Sequence, residues 1–177
     1  NKIENIDVAK NVFKGSSIGA LIETEGCQTR YYKTLADAVN GAEAGDTVLV
    51  MRNHEGAGVV IDKDITIDLY NFTYTVNGST VGSTGTETLG FQIMSGNAVT
   101  IKNGAIATNS NNCKMLVQNY ADTLTVDGMT LDGENLDKWS MTDGDSYVLS
   151  VNSGTVNIVN TTINSNNDGD LAFAFDS

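Results

Sequence analysis

Apolar and polar positions alternate along this chain in four segments that vary a single phrase: Ile65-Thr-Ile-Asp-Leu-Tyr-Asn71, Val99-Thr-Ile-Lys-Asn-Gly-Ala105, Leu124-Thr-Val-Asp-Gly-Met-Thr130 and Val156-Asn-Ile-Val-Asn-Thr-Thr162. A side chain that points inward at every second residue is the signature of a strand with one buried face. Superimposed on Ile67, Ile101, Val126 and Ile158, the segments stand 34, 25 and 32 residues apart, an irregular period of the length that marks stacked supersecondary units. The pattern predicts an all-β chain folded as a right-handed single-stranded parallel β-helix, a solenoid in which each turn buries its inward face only against its neighbours.

The same alternation predicts strands at 47–51, 59–61, 65–69, 72–76, 90–94, 98–101, 115–118, 123–126, 147–151, 155–159 and 171–175, with an earlier one at 18–22. Polar, turn-rich stretches at 76–87, 107–112 and 133–145 read as loops. The period changes once: Leu35, Ala38, Val39 and Ala42 follow helical spacing, with Thr34 placed as N-cap and Asp37 in the first turn. This predicts a short helix at about 34–44 that covers the open N-terminal end of the stack, after a lead-in segment at 1–17 and within a single domain at 18–177.

Composition narrows the function more than the fold. A formal net charge of −12 and a pI near 4.2 repel nucleic-acid phosphate and anionic membrane surfaces, so neither is an expected partner. No apolar run approaches the roughly 20 residues that span a bilayer. The chain lacks an initiator Met and is expected to be a soluble, processed piece of an extracellular, cell-surface or virion protein. Cys27 and Cys113 lie 86 residues apart and form no metal or redox motif; a disulfide between them is neither required nor ruled out.

The run Tyr32-Lys-Thr-Leu-Ala-Asp-Ala-Val-Asn40, the strand Ala44-Gly-Asp-Thr-Val-Leu-Val50 and the strand Val60-Ile-Asp-Lys-Asp-Ile-Thr-Ile-Asp-Leu69 together resemble the capped start of pectate-lyase-like β-helix modules. Such modules occur in bacterial surface and secreted proteins and in phage structural proteins. The resemblance implies the fold and admits either polysaccharide lyase or glycoside hydrolase activity, so any site has to be argued from its residues. A lyase of that kind needs an Arg or Lys base among acidic calcium ligands, yet no Arg follows Arg52.

A hydrolase needs two facing carboxylates, for which Asp127 and Asp132 are the candidates; each precedes a glycine, and Asp-Gly is an ordinary turn pair. The one histidine, His54, falls in a polar connection and reads as a solvated loop residue. Asn103 and Asn160, at strand ends, read as amides bonded to turns or to each other in adjacent coils. Calcium is the one cofactor the pattern admits. Asn164, Asn166, Asp168 and Asp170 match the first half of a calcium loop but lack its closing Glu, and Asp137, Asp143 and Asp145 form a second acidic patch. Beside that patch, Trp139 and Tyr147 are the candidate ligand-binding aromatics, fit to stack on a sugar or anchor a protein partner.

The expectation that follows is a non-catalytic, rigid display or adhesive element that contacts carbohydrate or protein, with a polysaccharide-degrading enzyme, or a fragment of one, as the alternative. The alternating strand at the C-terminal end also invites self-association.

Overall fold

The computed structural model describes residues 18–23, 29–137, 146–165 and 172–176. They form a mostly β molecule with one short helix among the described residues. In chain order the elements are β1 (Ala20–Glu23), β2 (Arg30–Tyr32), α1 (Leu35–Gly41), β3 (Thr47–Val50), β4 (His54–Gly56), β5 (Val59–Ile61), β6 (Thr66–Val76), β7 (Leu89–Ile93), β8 (Ala98–Thr108), β9 (Met115–Asn119), β10 (Thr123–Asp132), β11 (Ser146–Val151), β12 (Thr155–Val159), β13 (Thr162–Asn164) and β14 (Ala172–Asp176).

Two sheets share these strands. The larger is nine-stranded and runs β12-β10-β8-β6-β3-β1-β2, with β13 on β10 and β4 on β6; the smaller runs β14-β11-β9-β7-β5. From β5 onward the chain crosses from one sheet to the other between successive long strands, so sheet neighbours come from distant sequence and pair in parallel. Both sheets bury one face in a common core that includes Ile67, Tyr74, Ile101, Ile106 and Val126 from the larger sheet and Ile61, Phe91, Ile93, Val117 and Leu149 from the smaller. At about 25 cal/mol per Å² of apolar surface removed from water, this joint burial is the main stabilising term.

The long strands turn a corner midway. In β6 the corner is at Tyr70 and Asn71, in β8 at Asn103, in β10 at Gly128, and between β12 and β13 at Asn160, all with left-handed backbone (φ 54°, 63°, 58°, 63° and 48°). Gly and Asn occupy four of these five positions because they tolerate that region with least strain. Asp68 organises the first corner: it accepts the Tyr70 N–H at 2.9 Å and the Asn103 amide at 3.2 Å on each oxygen. Of the two partners expected for Asn103, a turn or another Asn, it takes the turn.

The expected β-helix is not what the chain forms. The larger sheet is mixed, because β1 pairs antiparallel with both β2 and β3; neither sheet closes on itself and the arrangement is not a solenoid. Nor, among the described residues, does a helix cap the N-terminal end: α1 follows two strands that carry the sheet beyond β3. The physical reason is that alternation specifies which face of a strand is buried and says nothing of strand direction. A short connection between neighbouring strands favours the antiparallel pairing that β1 and β2 adopt.

The helix itself forms where its spacing predicts. Thr34 Oγ1 accepts the Asp37 N–H at 3.1 Å, and Leu35, Ala38 and Val39 are buried. The four phrases do lie side by side, since Ile67 pairs in register with Ile101, Ile101 with Val126 and Val126 with Ile158.

Candidate functional site

Register turns the polar half of each phrase into a surface. Outward-facing Thr47, Thr66, Thr100, Thr125 and Asn157 are successive partners across β3, β6, β8, β10 and β12. Strand spacing sets them about 4.8 Å apart, a rank of hydroxyls closed by one amide. Past the corner a second rank contains Thr73, Ala105, Thr130 and Thr162. Threonine suits these places because its branched Cβ packs on a pleated surface while its hydroxyl stays outside.

A shallow depression of about 210 Å³ opens beside the first rank, lined by Gly45, Asp46, Asp64, Ile65, Thr66, Ala98 and Thr100. Its acidic walls are held in place. Asp46, buried, takes an ion pair from Arg30 at 2.6 Å and the Glu43 N–H at 2.8 Å, while the Arg30 guanidinium also donates to the Gly41 carbonyl. Exposed Asp64 accepts the Ala98 N–H at 2.7 Å. The depression therefore presents the exposed Asp64 carboxylate and the Thr66 and Thr100 hydroxyls, with buried Asp46 bracing its floor, a surface suited to accept hydrogen bonds from a polyhydroxylated ligand.

The predicted catalytic pair does not converge. Asp127 follows Asp68 and Lys102 in one outward column, with Lys102 and Val159 as its register neighbours. Asp132 lies on the other side of the Gly128 corner, where its neighbours are Ala107 and Asn164. Among the described residues no carboxylate is a register neighbour of either, whereas glycoside hydrolysis needs two flanking one bond. Turn chemistry accounts for both: Gly128 supplies the left-handed corner after Asp127, and Asp132 accepts the Glu134 N–H at 3.2 Å. After Asp132, a Cβ at Gly133 would come within 2.4 Å of Val148 and 2.9 Å of the Asn164 carbonyl oxygen, so the backbones meet there only with glycine.

Of the other candidates, Tyr147 is half-buried at the start of β11 and donates its N–H to the Lys114 carbonyl, and Asn164 is exposed in β13, where its carbonyl accepts the Gly133 N–H. Trp139, Asp143, Asp145, Asn166, Asp168 and Asp170 lie outside the described residues. Among the described residues no three His, Cys, Asp or Glu side chains gather as a metal site. Cys113 is a free, buried thiol, and burial pushes its pKa up to about 11; Cys27 lies outside the described residues.

His54 corrects its sequence reading outright. Its ring is buried on β4, accepts the Leu35 N–H on Nε2 at 3.1 Å and donates from Nδ1 to the Arg52 carbonyl at 3.0 Å. It meets Tyr74 edge to face, and Tyr74 in turn meets Phe91, linking the two sheets through rings. Burial holds the imidazole below its ordinary pKa. A three-residue strand, His-Glu-Gly, carries too little alternation to announce this position.

No family model, curated protein or solved structure matches the chain. Among the described residues, no helix is long and apolar enough to cross a membrane.

Proposed function

We propose that this chain is a non-catalytic display or adhesive module of an extracellular, cell-surface or virion protein, and that the threonine-rich outer face of its larger sheet binds carbohydrate. One observation carries the reading: Thr47, Thr66, Thr100, Thr125 and Asn157 stand in register across five strands beside an oxygen-lined depression. A flat array of hydroxyls on a stiff sheet suits a flat, polyhydroxylated partner, because neither side loses much freedom on contact. The acidic surface favours neutral glycans over acidic ones, and disfavours nucleic acid.

A glycan array, read for binding and for product release with and without calcium, tests this. Binding of neutral polysaccharides without cleavage is expected, weakened at least tenfold in Thr66→Lys and Thr100→Lys. Product release abolished by Asp127→Asn or Asp132→Asn would move the chain to the polysaccharide-degrading class and end the proposal.

A further inference from the structure

The larger sheet carries a second, smaller apolar cluster on the side away from the common core. Along β1 and β3, Ala20, Ile22, Val48 and Val50 enter the common core, so the alternate residues Leu21 and Leu49 point outward. With Met51 they form a cluster of their own and are only 1 %, 4 % and 4 % exposed. Their neighbours in the same outward column are exposed Tyr31 on one side and Asp68 on the other. Among the described residues, the partly buried apolar side chain packed on this trio is Tyr70, a contact that holds a tyrosine in the left-handed backbone the other corners give to Asn or Gly. One half-buried ring does not enclose three side chains on two strands.

We propose that residues 1–17 of this chain cover the cluster, with Val12 and Phe13 seated on Leu21, Leu49, Met51 and Tyr70. Connectivity favours them. The segment joins the sheet through Ile18 and Gly19, and the Gly19 carbonyl accepts the Met51 N–H at 2.9 Å, so the chain enters directly beside the cluster. Phe13 is separated from Gly19 by a tether of at most about 20 Å, and Leu21 follows Gly19 closely along β1. The other stretch that adjoins these strands, Thr24-Glu-Gly-Cys-Gln28, leaves β1 from its far end at Glu23 and is polar but for Cys27.

The segment also has the chemistry of a cover. It supplies Ile3, Ile6, Val8, Val12 and Phe13 as apolar surface. Its charges are Lys2, Lys10 and Lys14 against Glu4 and Asp7, one positive charge net in a chain whose formal net charge is −12, so attraction to the rest of the molecule favours the docked position. A tethered segment acts at the high effective concentration its short link sets, an advantage that a separate partner making the same contacts lacks.

Methionine oxidation by hydrogen peroxide, read by peptide mapping, tests the proposal, because three methionines report on three places: Met94 is exposed, Met51 belongs to the outer cluster and Met129 to the common core. In the unaltered chain Met94 is expected to oxidise fast, and Met51 and Met129 slowly. The double substitution Val12→Asp with Phe13→Asp is expected to raise the Met51 rate at least tenfold while Met129 keeps its own, which separates uncovering of the cluster from unfolding. A Met51 that oxidises as fast as Met94 in the unaltered chain, or whose rate the substitutions leave unchanged, overturns the proposal. Where Met129 accelerates too, the fold has opened, and the photo-cross-linker p-benzoylphenylalanine in place of Phe13 in the otherwise unaltered chain decides. Cross-links within one chain to residues 19–23, 47–51 or Tyr70 support the segment as the cover. Cross-links only elsewhere, or only between two chains, overturn it. Carbohydrate binding is read separately and depends on neither result.

Discussion

His54 is the residue whose environment departs furthest from its sequence reading, and its chemistry has a definite pH signature. The folded protein holds the ring neutral, with Nδ1–H donated to Arg52 and the Nε2 lone pair occupied by the Leu35 N–H. Protonation would set an N–H against an N–H. Burial lowers the folded pKa below the ordinary 6.5, so the unfolded chain binds more protons in the window below 6.5. The stabilisation is therefore complete above that value and declines as pH falls toward the folded pKa. Urea denaturation from about pH 7.5 down to about pH 5 is expected to show this loss. His54→Ala should lower stability by about 2–4 kcal/mol at neutral pH, by emptying the site and orphaning a helix N–H, and should flatten the acid limb. An intact acid limb in that variant would assign it to the carboxylates. None of this was legible beforehand, because the burial of a lone histidine depends on β4 pairing with β6, which no local pattern encodes.

The elements show which part of the fold alternation determines and which it leaves open. Strands with three or more inward apolar residues, such as β6, β8 and β10, were legible, and so was their mutual register. The second half of β6 was read as a strand at 72–76, whereas those of β8 and β10 were not, because the left-handed corners at Asn103 and Gly128 interrupt the alternation and read as strand ends. Direction was read rightly for the four phrases, which pair in parallel, but not for Ala20–Glu23 and Arg30–Tyr32, which are too short to signal that they run antiparallel. The corners yield a test of their own. Gly128→Ala should cost about 1–2 kcal/mol, the penalty of placing a Cβ in the left-handed region. Asn160→Gly should change stability by only a few tenths of a kcal/mol, since glycine adopts that backbone freely. Thermal denaturation of the two variants checks the contrast, and equal losses would show that tolerance of the left-handed backbone is not what these corners select. The turn role of Asp127 and Asp132 could be read from the Asp-Gly pairs, whereas the threonine rank could not, because its members come into line only once the register of five strands is known.

For the whole molecule, the shared core makes the two sheets interdependent. Cys113 lies in that core with its thiol pKa pushed up to about 11, so in the native protein it should resist alkylation at neutral pH, where the reactive thiolate is scarce and enclosed. Peptide mapping after labelling in increasing urea is expected to show Cys113 becoming reactive in step with the loss of circular dichroism. Labelling well before that transition would show that the sheets part locally first. The crossing of the chain from sheet to sheet has a consequence for assembly in time. Partner strands such as β6 and β8 are separated in the chain by β7, which belongs to the opposite sheet, so neither sheet can be completed while the other waits. Contacts of such long sequence separation form slowly in a free chain because loop closure comes before its reward. During synthesis, however, the earlier strands leave the ribosome first and stand as a template for each later pair. Growth in that order also moves one raw edge along each sheet, in the larger from β6 to β8 to β10 and then to β12 and in the smaller from β7 to β9 to β11 and then to β14, so that the two fronts advance by turns and each new strand is laid against a partner already in place.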